Sequence, residues 1–144
     1  GLRVADLGCG SGVLGLGALR LGAASVCAAD TDSLAVRATT DNAVLNGLSG
    51  AVAVRLGSVE ALAELLDGQP ADLLLCNILA PVIEALCPAF TQVLAAGGVG
   101  LLSGLLVDQA PSLQRVLADE GWQGELTGQQ SQWGLMTIKR AVVA

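Results

Sequence analysis

The segment Asp6-Leu7-Gly8-Cys9-Gly10-Ser11-Gly12 leaves this chain few folds to choose from. Leu2-Arg3-Val4-Ala5 ahead of it reads as a short strand, and Val13 to Gly22 behind it reads as a helix. Three glycines therefore sit in a strand-to-helix turn. Glycine lets the main chain approach a ligand closely, and a helix N-terminus presents free N–H donors. The unit predicts a backbone cradle for a small polar ligand.

Strand and helix signals keep alternating beyond it. Ser25 to Asp30 reads as a second strand, and Asp32-Ser33 offers an N-cap for a helix from Leu34 to about Leu45, stopped by Asn46-Gly47. Ala51 to Leu56 alternates as a third strand, and Glu60 to Leu66 as a short helix. Ala71 to Asn77 is a fourth strand, apolar on both faces. A long helix is expected from about Pro81 to Leu94, then a fifth strand from Val99 to Ser103 and a helix from Ala110 to Glu120. Trp122–Thr127 and Trp133–Arg140 are strands separated by only five residues, which forces an antiparallel pair. Crossover helices make the earlier strands parallel. The expected architecture is an α/β fold with five parallel strands, a C-terminal antiparallel hairpin and helices on both faces.

Composition narrows the function. Of 144 residues, 53% are hydrophobic and 14% charged, which suits a sheet covered on both sides. Seven Lys and Arg against thirteen Asp and Glu give a formal charge of −6. With no basic stripe and almost no aromatic side chains, direct nucleic-acid binding is disfavoured. No apolar run is long enough to span a membrane, and no secretory signal is present. Cys9, Cys27, Cys76 and Cys87 form no C-x-x-C pair, and there is no His, so no metal site is expected. They read as buried thiols of a cytoplasmic protein. Because Gly1 directly precedes a strand, the chain reads as the C-terminal part of a longer, monomeric protein.

Gly10-Ser11-Gly12-Val13-Leu14-Gly15 matches the dinucleotide fingerprint G-x-G-x-x-G, with Asp30 twenty residues past Gly10. Three observations disfavour a dinucleotide. A turn opening at Gly10 would put Asp6 and Gly8 inside the strand. Asp6 would set a carboxylate beside an anionic pyrophosphate. Hydride transfer also wants a proton donor, and the chain has neither His nor Tyr. Starting at Asp6, the motif is D-x-G-x-G-x-G and resembles the first motif of the Rossmann-like, seven-stranded methyltransferases that use S-adenosylmethionine. That ligand carries a sulfonium and an ammonium, so an acid beside the turn attracts it. The helix N-terminus can still receive its carboxylate. Asp30 would accept hydrogen bonds from both ribose hydroxyls, or else be a solvated or capping acid. Asp32 reads as a helix cap. Gly15 and Gly17, costly within a helix, imply close packing on the sheet. Ser58 stands where many members of that superfamily place an acid near the adenine; it could bond the adenine or serve the turn alone.

Asn77 ends the fourth strand, on the edge where open parallel sheets bind ligands. Amino-methyltransferases of the superfamily often carry Asn-Pro-Pro-Tyr here. This chain keeps the Asn but continues Ile78-Leu79-Ala80, without the aromatic that would stack a base, which favours a flexible aliphatic amine as methyl acceptor. The alternative is a strand-end Asn that caps the next helix.

Asn77-Ile78-Leu79-Ala80, together with Asp41 to Gly47 and Leu102 to Gln109, resembles the catalytic domain of PrmA-type enzymes, which methylate the large-subunit ribosomal protein L-eleven. The similarity covers essentially the whole chain. It implies that residues 1–144 are one catalytic domain and that S-adenosylmethionine is the cofactor. Asp6, Gly8, Gly10, Asp30, Ser58 and Asn77 are the expected cofactor residues, with Asn77 also catalytic. The implied partner is a basic ribosomal protein, methylated on lysine or N-terminal amines. The family also has a small substrate-recognition domain and a linker carrying a cofactor-contacting Thr, neither of which matches this sequence. Another protein-lysine methyltransferase, or a non-catalytic cofactor-binding module, would share the same glycine turn.

Overall fold

The computed structural model describes residues 1–142. Seven strands form one sheet: β1 (Arg3–Leu7), β2 (Ser25–Asp30), β3 (Val52–Leu56), β4 (Ala71–Asn77), β5 (Leu94–Leu106), β6 (Trp122–Gln130) and β7 (Trp133–Arg140). Their order is β3-β2-β1-β4-β5-β7-β6. The first five are parallel and the terminal pair antiparallel. The order reverses between β1 and β4, and open α/β sheets hold their ligands outside the strand carboxyl ends at that place.

Five helices cover the sheet: α1 (Val13–Arg20), α2 (Ser33–Leu45), α3 (Val59–Leu66), α4 (Ala80–Leu86) and α5 (Ala110–Asp119). The larger core joins Leu62 of α3, Ile83 of α4 and Leu113 and Leu117 of α5 to Leu74, Leu102 and Ile138 of the sheet. On the opposite face a smaller cluster of Val4, Val26, Ala28 and Leu75 packs against Ala18 and Leu19 of α1. No helix among the described residues is long and apolar enough to cross a membrane.

Several expectations need correction. The first strand does not stop at Ala5: β1 takes in Asp6, which pairs with Ala28 inside the sheet. The long helix to Leu94 is instead the seven-residue α4, followed by a 3-10 segment, Cys87–Gln92. Pro88 cannot donate to the carbonyl of Glu84 and ends the α-helix. The Cys87 thiol donates to that carbonyl instead, at 3.5 Å. Desolvation pushes its pKa up to about 11, so the donor keeps its proton. The fifth strand is also longer than Val99–Ser103. Leu94 pairs with Ala71, four residues bulge out, and Val99 rejoins the ladder opposite Leu73. Short apolar runs broken by glycines conceal such bulges. The two packing glycines also divide. A Cβ on Gly15 would lie 2.9 Å from Val26, whereas one on Gly17 would meet nothing.

Phe90 and Trp122 are fully buried and meet edge to face, with ring centroids 6.4 Å apart. Arg140 lies 4.9 Å above the Trp122 ring. This cluster ties the 3-10 segment to the terminal hairpin. Phe90→Ala should cost about 3–5 kcal/mol in denaturant unfolding; a loss below about 1 kcal/mol would show that the cluster is not a core element.

Candidate active site

The glycine turn is fixed from four directions. Gly8 and Cys9 N–H groups donate to the Ala29 carbonyl at 2.9 and 3.0 Å, which ties the turn to the end of β2. Gly10 N–H donates to Asp30 Oδ2 at 3.0 Å. Gly15 N–H, in the first turn of α1, donates to Asp6 Oδ2 at 3.2 Å. From α2, Thr39 donates to the Gly10 carbonyl at 2.9 Å and Asn42 to the Ser11 carbonyl at 2.8 Å. Thr39 and Asn42 are three residues apart, on one helix face. They draw two turn carbonyls toward α2. Gly8, Gly10 and Gly12 all have positive φ, which a side chain would strain.

A cavity of about 340 Å³ opens at the carboxyl edge of the sheet, within the roughly 300–1,000 Å³ usual for small-ligand sites. Gly8, Gly10, Asp30, Ser58, Asn77 and Ile78 line it. A Cβ on Gly10 would have no atom within 4 Å, so this backbone faces open space that a ligand can enter. Asp30 accepts one N–H on each oxygen, from Gly10 and from Asp32 at 2.9 Å. A carboxylate has about four lone-pair sites, so two hydroxyls can still bind. Asp32 caps α2 by accepting from Leu34 N–H at 2.9 Å, as its position predicts.

Ser58 precedes α3 without a side-chain capping bond. Its backbone N–H donates to Glu60 Oε1 at 3.0 Å, and Gly57 N–H holds the same turn to the Asp30 carbonyl at 2.9 Å. Asn77 is exposed at the end of β4. The residue flanking α4 is Leu79, and no side chain caps that helix. The capping alternative for Asn77 is therefore excluded, and the residue lines the cavity.

Asp6 is the one expected ligand residue placed elsewhere. It is 1% exposed, does not line the cavity, and bonds α1 from behind the turn. Paired with Ala28 on one side and Leu75 on the other, it sits within the sheet ladder and not in the turn. Burial first, and the Asp30 charge to a smaller degree, raise its pKa from 3.8 to about 6 against the Gly15 hydrogen bond. Beside Asn77, the Cys76 thiol is buried and pushed up to about 12 by desolvation and the Asp6 charge. It stays neutral and is no nucleophile. A larger depression, about 590 Å³, lies on the sheet face beside α1. Its side chains, such as Val4, Leu73, Leu75 and Leu101, are apolar, so it offers a polar ligand no partner.

The roles of Thr39 and Asn42 were missed in the sequence. The only signal was a polar pair three residues apart on the helix that follows the acid of β2.

The family model for ribosomal protein L11 methyltransferase (PrmA) matches residues 1–141. The chain belongs to this family. A ribosomal protein L11 methyltransferase of Parasynechococcus marenigrum (strain WH8102) is 65% identical over 141 residues, covering 97% of this chain and 49% of that protein. One from Gloeobacter violaceus is 44% identical over 132 residues, covering 92% and 40%. The chain thus spans about half the length of the curated PrmA relatives it matches. The crystal structure of a ribosomal protein L11 methylase from Lactobacillus delbrueckii subsp. bulgaricus superposes with a TM-score of 0.86 at 34% identity, covering 98% of this chain and 70% of that one.

The Asp6 shift gives a prediction of definite sign. Its native pKa lies above its unfolded value, so between about pH 4 and 6 the native state holds the extra proton. Stability is fully present below pH 4 and lost as pH rises through 6, by roughly 3 kcal/mol in all. Asp6→Asn should therefore gain on the natural protein as pH rises from 4 to 7 in denaturant titrations. A difference that does not change with pH would contradict this.

Proposed function

We propose that residues 1–144 form the S-adenosylmethionine-dependent catalytic domain of a protein N-methyltransferase acting on lysine or N-terminal amines of ribosomal protein L11. Residues 143 and 144 of that span lie outside the described residues. The observation that carries the reading is Asn77: uncommitted to any helix cap, it lines the same cavity as Asp30, Gly8 and Gly10. The names of the curated relatives support the substrate. The formal charge of −6 favours approach of a basic protein.

The residues fit the cofactor. Asp30 has lone pairs for two ribose hydroxyls, and Ser58 has an uncommitted hydroxyl at the β3 end for the adenine. Gly8 and Gly10 leave room for close approach of the main chain. Asp6 acts through the turn: it holds α1 in place, and its charge, made costly chiefly by burial, would be favoured by a positively charged ligand in the cavity. When bound, the cofactor supplies a methyl carbon already activated by positive sulfur.

The protein's own tasks are alignment and control of the acceptor proton. A lysine amine, with pKa about 10.4 in water, must be neutral before it attacks. The chain has no His and no Tyr, and Cys76 is protonated. Desolvation of the acceptor favours the neutral amine. The Asn77 side-chain oxygen accepts one remaining N–H and points the nitrogen lone pair at the methyl carbon. The released proton passes to solvent.

Asp30→Ala should weaken cofactor binding about 10- to 100-fold in calorimetric titration while the fold stays intact. Asn77→Ala should lower turnover of the full-length protein about 100-fold with little loss of stability. Unchanged affinity for the first, or near-normal turnover for the second, would remove the assigned role. The reading as a whole is tested by incubating full-length protein with methyl-labelled cofactor and total ribosomal components. Label in one large-subunit protein is expected, and label in RNA or in small amines would contradict it.

A further inference from the structure

The segment Leu102-Ser103-Gly104-Leu105 has a role that the cofactor site alone does not explain. β5 runs parallel to β4 up to the pair Asn77–Ser103, and its other edge pairs with β7. Between Leu102 and Leu105 the β5–β7 register slips: Leu102 faces Met136, but Leu105 faces Gly134. Three steps on β5 match two on β7, so one extra residue bulges at Ser103-Gly104. Gly104 has φ +86, and the bulge brings its backbone against the end of β4. A Cβ there would lie 2.7 Å from the Ile78 carbonyl oxygen and 2.9 Å from Asn77 Oδ1. From the opposite side, a Cβ on Gly8 would lie 2.6 Å from Ile78 Cγ2. Ile78 is thus confined between the glycine turn of β1 and the bulge of β5.

We infer that Gly104 is a positioning residue for Asn77: the β5 bulge sets both the Ile78 peptide and the direction of the Asn77 side-chain oxygen. Gly104 itself does not line the cavity. Any side chain there displaces a backbone carbonyl or swings the Asn77 oxygen away. The expected cofactor residues other than Asn77 lie at the ends of β1, β2 and β3 and keep their places, while acceptor alignment by Asn77 is lost. The inference rests on the acceptor role proposed for Asn77, but the placement can be read without any turnover.

Gly121 supplies the matched reference. It has the same φ, +86, yet a Cβ there meets nothing within 4 Å. Both Gly→Ala changes put a side chain at the same positive φ; only one meets the β4 end. In full-length protein, Gly104→Ala should lower kcat roughly 10- to 100-fold, with cofactor affinity within about twofold. It should also shift the Asn77 side-chain amide resonances. Gly121→Ala should do neither. In an Asn77→Ala background, Gly104→Ala should cost little further turnover, because the oxygen it displaces is gone. Equal turnover for the two glycine variants, an unmoved Asn77 amide or full additivity would overturn the inference. Should Gly104→Ala not fold, the natural protein still decides: a nuclear Overhauser contact between the Gly104 α-protons and the Asn77 amide is expected, and its absence contradicts the placement. If the natural protein transfers no methyl group at all, the functional reading fails, and the resonance measurements still judge Gly104.

Discussion

Two carboxylates grip the turn after β1 through its backbone: Asp30 takes the N–H of Gly10, and Asp6 takes that of Gly15. The glycine cradle takes its position from this grip. It sets where α1 begins, fixes the direction of the Asp30 oxygens and turns the Gly10 backbone toward open space. Thr39 and Asn42 complete it by holding two turn carbonyls. The cost is electrostatic: burial above all, and the nearby Asp30 charge to a smaller degree, make Asp6 resist ionisation. A positive ligand offsets that cost and an anionic one adds to it. The same grip that shapes the cradle therefore selects the sign of what it binds.

The second constraint is the closeness of three main-chain segments. Ile78 fits only because Gly8 and Gly104 have no side chains on the sides that face it. That contact couples the cofactor turn on β1 to the acceptor residue on β4 and to the bulge on β5. Alignment to within fractions of an ångström decides rates in reactions whose electrophile is already activated. A packed backbone provides this better than a mobile loop.

The five parallel strands, the terminal hairpin and most element boundaries were legible because parallel α/β units repeat a simple alternation, with an apolar run inside β4 and with Asp32 and Asn46-Gly47 bounding α2. Asp30, Ser58 and Asn77 were legible as strand-end polar residues on one sheet edge. Asp6 was read as a ligand contact because a motif gives the residue type and not its direction, and its place in the β1 ladder leaves it buried. Pro88 warned of the break after α4, but the apolar run around it hid the change to 3-10 geometry. The bulges of β5 depend on pairing with β4 and β7, which are far away in sequence. No local pattern at Gly97-Gly98 or Gly104 could distinguish a bulge from a strand end.

The most direct test of the account is a crystal structure of the protein with S-adenosylmethionine bound. The ribose hydroxyls are expected on the Asp30 carboxylate, the adenine beside Ser58, and the methyl group facing the Asn77 oxygen, with Asp6 still bonded to Gly15 behind the turn. A cofactor seated in the apolar depression beside α1, or one whose ribose leaves Asp30 untouched, would contradict it.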